Sequence, residues 1–194
     1  MISGVVLAAG TASRFGSPKQ LVDFEGRPLL QRVIENASSS RLVEVVVVLG
    51  HESERIAAAI RLPPGARFIR NPDFGAGQST SLARGLEAAD GGATAAAILL
   101  GDQPLVDAPM IDRVIEAFLA SEAPIARARF GAAPGHPVIV ARSEWAAWGS
   151  LDGDAGARRL LDSFPEKVAD IQLGPTPSID VDTWADYQDL LRSE

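Results

Sequence analysis

Several side chains in this chain have the types and spacing to do chemistry on a phosphorylated small molecule. An apolar run, Val5-Val6-Leu7-Ala8-Ala9, stops at Gly10 and leads into Thr11-Ala12-Ser13-Arg14-Phe15-Gly16-Ser17-Pro18-Lys19-Gln20. Gly10 and Gly16 can take positive φ and let backbone N–H groups approach an anion. Arg14 offers a planar fork for phosphate oxygens, and Lys19 a compact charge where negative charge builds up during reaction. The chain has two lysines, Lys19 and Lys167, against sixteen arginines, so a lysine inside this loop carries information. The glycines alone also fit an ordinary turn after a strand. The loop is neither a Walker phosphate loop, since no G-K-[ST] follows, nor the G-x-G-x-x-G dinucleotide fingerprint.

Further along, Asp102 follows directly on another apolar run, in Gly101-Asp102-Gln103-Pro104. A carboxylate there can hold Mg²⁺ against triphosphate oxygens, or simply cap a turn before proline. Gly77 through Ser81 is a second small-residue loop opening a helix, able to bind a base edge or phosphate or to serve as a plain N-cap. His136 lies in a predicted turn, where a lone histidine is usually a hydrogen-bonding surface residue. Near the end, Asp180-Val181-Asp182-Thr183 offers either a metal carboxylate or the cap of a last helix.

The elements that must position these residues alternate. Strands are predicted at the first apolar run, Val43 to Leu49, Ala66 to Ile69 and Ala93 to Leu100. Helices are predicted from Pro28 to Glu35, Glu52 to Ile60, after Ser81 through Leu86, and Pro109 to Leu119 behind an Asp107 cap. Gln20 to Gly26 reads as a polar connection. Later come strands at Pro124 to Phe130, Pro137 to Ala141 and Val168 to Leu173, a short helix from Asp154 to Leu161 and a terminal helix from Trp184 to Leu191. The pattern predicts an α/β fold, a mostly parallel central sheet with helices on both faces, and ligands at the carboxyl ends of the strands. The loops at Gly10, Gly77 and Asp102 all fall at such ends.

At 194 residues, with 46% apolar and 22% charged residues, the chain reads as one soluble domain. The net charge of -7 speaks against nucleic acid as a partner. The lack of cysteine excludes disulfides, thiolate metal sites and a cysteine nucleophile. No apolar stretch reaches membrane-span length and the N-terminus carries no basic leader, so no membrane partner and a cytoplasmic location are expected. No nucleophile elbow supports hydrolase chemistry.

Leu7-Ala8-Ala9-Gly10, Arg14-Phe15-Gly16 and Pro18-Lys19 resemble the L-A-A-G-x-S-x-R-M-G-x-x-K signature of nucleotidyltransferases with a Rossmann-like, three-layer glycosyltransferase A fold. Within that group the chain most resembles the molybdenum cofactor cytidylyltransferases, through G-D-Q-P at Gly101, G-H-P-V at Gly135 and G-D-x-G-A-R at Gly153. Asp180 to Tyr187 is similar to D-I-D-T-P-E-D-Y. Three side chains depart from the pattern: Ala12 for serine, Phe15 for methionine and Trp184 for proline.

The resemblance implies CMP transfer from CTP to the phosphate of the molybdenum cofactor, with release of pyrophosphate. It implies Mg²⁺, or Mn²⁺, held by Asp102 and Asp182. Arg14, Lys19 and Asp102 would be catalytic, and Leu7, Ala8, Ala9, Gly10, Arg14, Lys19, Gly77 and Ser81 would bind the nucleotide. His136 and Asp154 would bind the acceptor. Ala8-Ala9, where guanine-using relatives carry glycines, points to cytosine. Residues 1–100 would form mainly the nucleotide half and 101–194 mainly the metal and acceptor half. A different phosphate acceptor, sugar or isoprenoid, and a non-catalytic protein delivering cofactor to a molybdenum enzyme are the alternatives.

Overall fold

The structure, a computed structural model, describes residues 1–11, 15–151, 161–175 and 180–192. In chain order these form β1 (Ile2–Ala8), a small hairpin of β2 (Asp23–Phe24) and β3 (Arg27–Pro28), α1 (Leu29–Ser38), β4 (Val45–Leu49) and α2 (Ser53–Ala59). β5 (Ala66–Arg70), α3 (Gln78–Ala88), β6 (Ala95–Leu100) and α4 (Ala108–Ala120) follow. β7 (Ile125–Phe130), β8 (Ala133–Ala141), α5 (Trp145–Gly149), β9 (Val168–Gly174) and α6 (Trp184–Arg192) complete them. The predicted helix from Asp154 falls largely outside the described residues.

The main sheet has seven strands in the order β5-β4-β1-β6-β8-β7-β9. β5, β4, β1 and β6 pair in parallel, as do β7 and β9, while β8 runs antiparallel to both its neighbours. The mostly parallel sheet expected from the alternating elements is therefore present. Its strands divide their side chains between two cores by the period of two that a pleated strand imposes. Val6 and Ala8 of β1, Val47 and Leu49 of β4 and Leu99 of β6 face Leu30 and Ile34 of α1, Ile111 of α4 and Leu190 of α6. Val5, Val48 and Ile98 face the opposite way, against Leu82 and Leu86 of α3 and Trp148 of α5. Both faces are covered, and that is why these strands read as continuous apolar runs.

Two expectations need correction. The connection after Gln20 is not a plain polar loop: Lys19–Leu21 makes a 3₁₀ turn and the β2–β3 hairpin follows, with Phe24 buried beneath it. β8 begins at Ala133, not Pro137, so His136 stands on a strand and not in a turn. The small, Pro-containing stretch conceals this because only Val138 to Ala141 pairs with β6; Ala133 and Pro134 pair with β7 alone. A strand paired on one side tolerates proline. The turn itself is only Gly131-Ala132, opened by Gly131 at φ 58°.

Close packing of α3 onto the sheet depends on Gly85, where an added Cβ would lie 2.3 Å from Val5 Cγ1 and 3.2 Å from Val48 Cγ2. Val5 sits on an interior strand, flanked by β4 and β6 and fully buried, and has no room to yield. Gly85→Ala should destabilise the protein by about 1–2 kcal/mol, the overpacking cost exceeding the roughly 1 kcal/mol that alanine gains in a helix. Urea unfolding checks this; a variant as stable as the parent would contradict the packing.

Candidate functional site

The carboxyl ends of β1 and β6, the Gly77 loop and the segment before α6 enclose a cleft of about 540 Å³. The backbone brings the first two ends together: Gly101 N–H donates to Leu7 O at 2.9 Å, and a Cβ on Gly101 would lie 2.8 Å from Ala8 Cβ. Leu7, Ala8, Ala9 and Gly10 line one wall, with Lys19 and Asp102 at its end. Gly77 and Ser81 line the opposite wall, and Asp182 stands beside Asp180 at the rim. His136 is not part of the lining, although it lies near enough for the Asp102 charge to act on its imidazole. Arg14 and Asp154 lie outside the described residues.

The wall at Ser81 is held by Asn71, which is fully buried. Its Nδ2 donates to Thr80 Oγ1 and Ser81 Oγ, both at 2.9 Å, and its N–H donates to Leu49 O at 2.8 Å. One residue, through its side chain and its backbone, thereby ties the start of α3 to the end of β4. On the other wall Gln20, 2% exposed, donates from Nε2 to Ala8 O at 3.0 Å and fixes the path of the chain out of β1.

Lys19 is the centre of the site. Its Nζ donates to Asp102 Oδ2 at 2.5 Å and to Asp182 Oδ1 at 2.6 Å. The pair with Asp102 is largely enclosed, with side-chain exposures of 13% and 17%. Burial works against the charged lysine, but Asp102 and then Asp182 outweigh it, and the ammonium is held above its ordinary pKa. Asp102 is also held above its ordinary value, first by burial, with Asp180 and Asp182 adding repulsion that Lys19 does not cancel.

The segment carrying Asp182 is tethered twice. Val181 N–H donates to Asp102 O at 3.2 Å, and Gln103 Nε2 donates to Asp180 Oδ1. The α6 cap is made by Thr183 and Asp186: the Thr183 N–H donates to Asp186 Oδ2 at 2.7 Å, and the Asp186 N–H donates to Thr183 Oγ1 at 3.2 Å. This reciprocal cap leaves the Asp182 carboxylate free of capping and turned to Lys19. Phe15 and Trp184, two departures from the family pattern, stack with ring centroids 4.4 Å apart and pack the loop after β1 against α6.

The donor set suits a hard divalent cation. Asp102 Oδ1 is buried and makes no hydrogen bond among the described residues, Asp182 Oδ1 lies at the same mouth, and a cationic group already bridges the two carboxylates. Carboxylate oxygens with room for phosphate and water are what Mg²⁺ and Mn²⁺ take.

Gln20, Gln103, Phe74 and the buried Asn71 escaped the sequence reading. Gln20 and Gln103 directly follow Lys19 and Asp102, and that adjacency was the available signal. Phe74, which lines the cleft, is the one bulky side chain in the stretch from Asn71 to Ser81. Asp180, two residues before Asp182, is exposed and also lines the cleft.

The sheet order and the site at its strand ends define an α/β nucleotidyltransferase fold. The sequence profile of the MobA-like NTP transferase domain matches residues 4–169, and the chain belongs to that family. The structure of Rv0371c from Mycobacterium tuberculosis H37Rv is similar at 31% identity and a TM-score of 0.89, covering 98% of this chain and 97% of that one. A structure of Rv0371c in complex with manganese matches at 30% identity and a TM-score of 0.85, covering 100% and 99%. Nicotine blue oxidoreductase from Paenarthrobacter nicotinovorans is 30% identical over 84% of this chain and 83% of its own length. The bifunctional protein GlmU of Bordetella petrii is 34% identical over 60% of this chain, a match spanning only 26% of that longer protein. Among the described residues no helix is long and apolar enough to cross a membrane.

His136 yields a prediction. Its Nδ1 is buried without a hydrogen bond, and burial lowers the imidazole from 6.5 to about 4, against the opposing pull of Asp102. Between those values the unfolded chain binds the proton and the folded one does not, so stability falls as pH drops from about 6.5 towards 4. The loss from this group should reach at most about 3 kcal/mol. His136→Gln should flatten that part of the stability-pH curve measured by urea unfolding; an unchanged slope would contradict a buried neutral imidazole.

Proposed function

We propose that this chain transfers CMP from CTP to the phosphate of the molybdenum cofactor and releases pyrophosphate. The observation that carries the reading is the convergence of Lys19, Asp102 and Asp182 at the mouth of a cleft walled by the loop after β1 and the start of α3. The small side chains of Ala8 and Ala9, with Gly77 and Ser81 opposite, would take the cytosine base and ribose. Residues 1–100 would then serve mainly the nucleotide, and 101–194 mainly the metal and acceptor.

In the reaction a phosphate oxygen of the acceptor attacks the α-phosphorus of CTP. The bond to the β-phosphate oxygen breaks, and pyrophosphate leaves with the electron pair. The attacking phosphate is already ionised, so the protein's work is positioning and charge stabilisation. Arg14 would clamp the triphosphate, and Lys19 would meet the charge that develops on the α-phosphate. Asp102 and Asp182 would hold Mg²⁺, or Mn²⁺ as in the Rv0371c complex; the bound ion would neutralise triphosphate charge. His136, neutral, and Asp154 would contact the acceptor, and a molybdenum enzyme would receive the product.

A second reading changes the acceptor. The GlmU match spans 60% of this chain, and a relative of 30% identity is named as an oxidoreductase, so the acceptor rests on G-D-Q-P and G-H-P-V. The test follows α-³²P from labelled CTP into the molybdenum cofactor. Transfer should occur with the parent protein and fall on the order of 10²-fold or more in Lys19→Ala and Asp102→Asn. A Lys19→Ala protein that keeps most of its turnover would overturn the catalytic assignment, and label passing only to another phosphate would overturn the acceptor.

A further inference from the structure

The contacts of Lys19 raise a question of occupancy. Its Nζ lies 2.5 Å from Asp102 Oδ2 and 2.6 Å from Asp182 Oδ1. A Mg²⁺ ion shared by the same oxygens would sit about 2.1 Å from each. The ammonium and such an ion would claim the same place, and two cations cannot share it. We infer that Lys19 holds the cation seat between Asp102 and Asp182 as an internal counterion, and that a divalent metal gains the seat only as a triphosphate draws the lysine away.

This inference rests on the proposed metal role of the two aspartates and deepens it. The seat is poor in positive charge even with Lys19 in it, because Asp180 adds a third carboxylate at the same rim and burial strips solvent from Asp102. A divalent ion answers that charge better than one ammonium. The displaced lysine needs an anion, and the triphosphate that arrives with the metal supplies one with several anionic oxygens; its four-carbon stem gives it the reach to change partners. Metal and triphosphate should therefore enter as a coupled pair, each raising the other's affinity by the same factor. Catalysis gains from the exchange: the lysine reaches the reacting phosphate only when the metal is in place behind it.

The test is Mn²⁺ binding to the full chain without nucleotide, followed by the electron paramagnetic resonance signal of free Mn²⁺. Lys19→Gln should bind Mn²⁺ about tenfold or more tightly than the parent, in the range of ordinary coupling. The gain should persist in about 0.5 M KCl, where a mere long-range field is screened. Lys19→Gln with Asp102→Asn should lose it. Lys19→Met is a second variant that vacates the seat, and thermal unfolding of each checks the fold. Equal Mn²⁺ affinity in parent and Lys19→Gln would overturn the inference; the metal would then bind beside a resident lysine, through Asp102 Oδ1. A gain that vanishes in salt overturns it too. Turnover of Lys19→Gln separates the two claims: tighter Mn²⁺ binding with turnover retained supports the shared seat and removes Lys19 from the chemistry.

Discussion

The structure depends most on one largely enclosed ion pair. Lys19 and Asp102 are 83 residues apart in sequence, and Lys19 and Asp182 are 163 apart, yet one ammonium joins all three at the mouth of the cleft. Two carboxylates at a half-enclosed site repel each other and lose water, and without a cation between them the segment before α6 would have reason to swing away. The enclosed Lys19–Asp102 pair is worth more than a surface contact because solvent screens it little. Its cost is an Asp102 that remains short of positive charge, a shortage that a divalent cation would relieve.

Everything else at the site serves to hold those groups against one another. The sheet supplies two parallel strand ends, and the approach of Gly101 to Ala8 closes the gap between them. Gly50 does the same on the other side of β1, where an added Cβ would fall 2.7 Å from Ala9 O and 2.6 Å from Phe74 Cβ. Backbones this close leave no space for ordinary side chains, so small residues at strand ends define the width of the cleft. Buried amides then fix the loops: Gln20 on the first wall, Asn71 on the second, Gln103 on the segment that carries Asp182. Asn71 both donates and accepts, whereas Gln20 and Gln103 donate through Nε2 and keep a buried Oε1 without a hydrogen bond among the described residues.

The strands of the sheet were legible because both faces are buried, which turns β1, β4 and β6 into unbroken apolar runs. Helix boundaries followed from proline and cap residues, as at Asp107, whose carboxylate accepts from Met110 N–H at 2.9 Å. The candidate site residues Lys19, Asp102 and Asp182 were visible by type, but no spacing in the sequence says that one lysine bridges both aspartates. That contact is made by the crossing of sheet and terminal helix. The start of β8 was hidden because prolines and glycines mark loops in general, and only the one-sided pairing of Ala133 and Pro134 makes a strand of them. The Phe15–Trp184 stack could not be read either, since each residue looked like an isolated departure from a pattern until the fold placed them in contact.

In the proposed reaction the cleft between the β1 end and the start of α3 is where a nucleoside triphosphate reacts. A crystal structure of the chain with CTP and Mg²⁺ tests it most directly. The triphosphate should run past Lys19 to a metal held by Asp102 and Asp182, with the base between Ala8-Ala9 and Ser81. Density for CTP elsewhere, such as the open surface beside Arg70 and His51, with Lys19 still bridging the two aspartates, would contradict it.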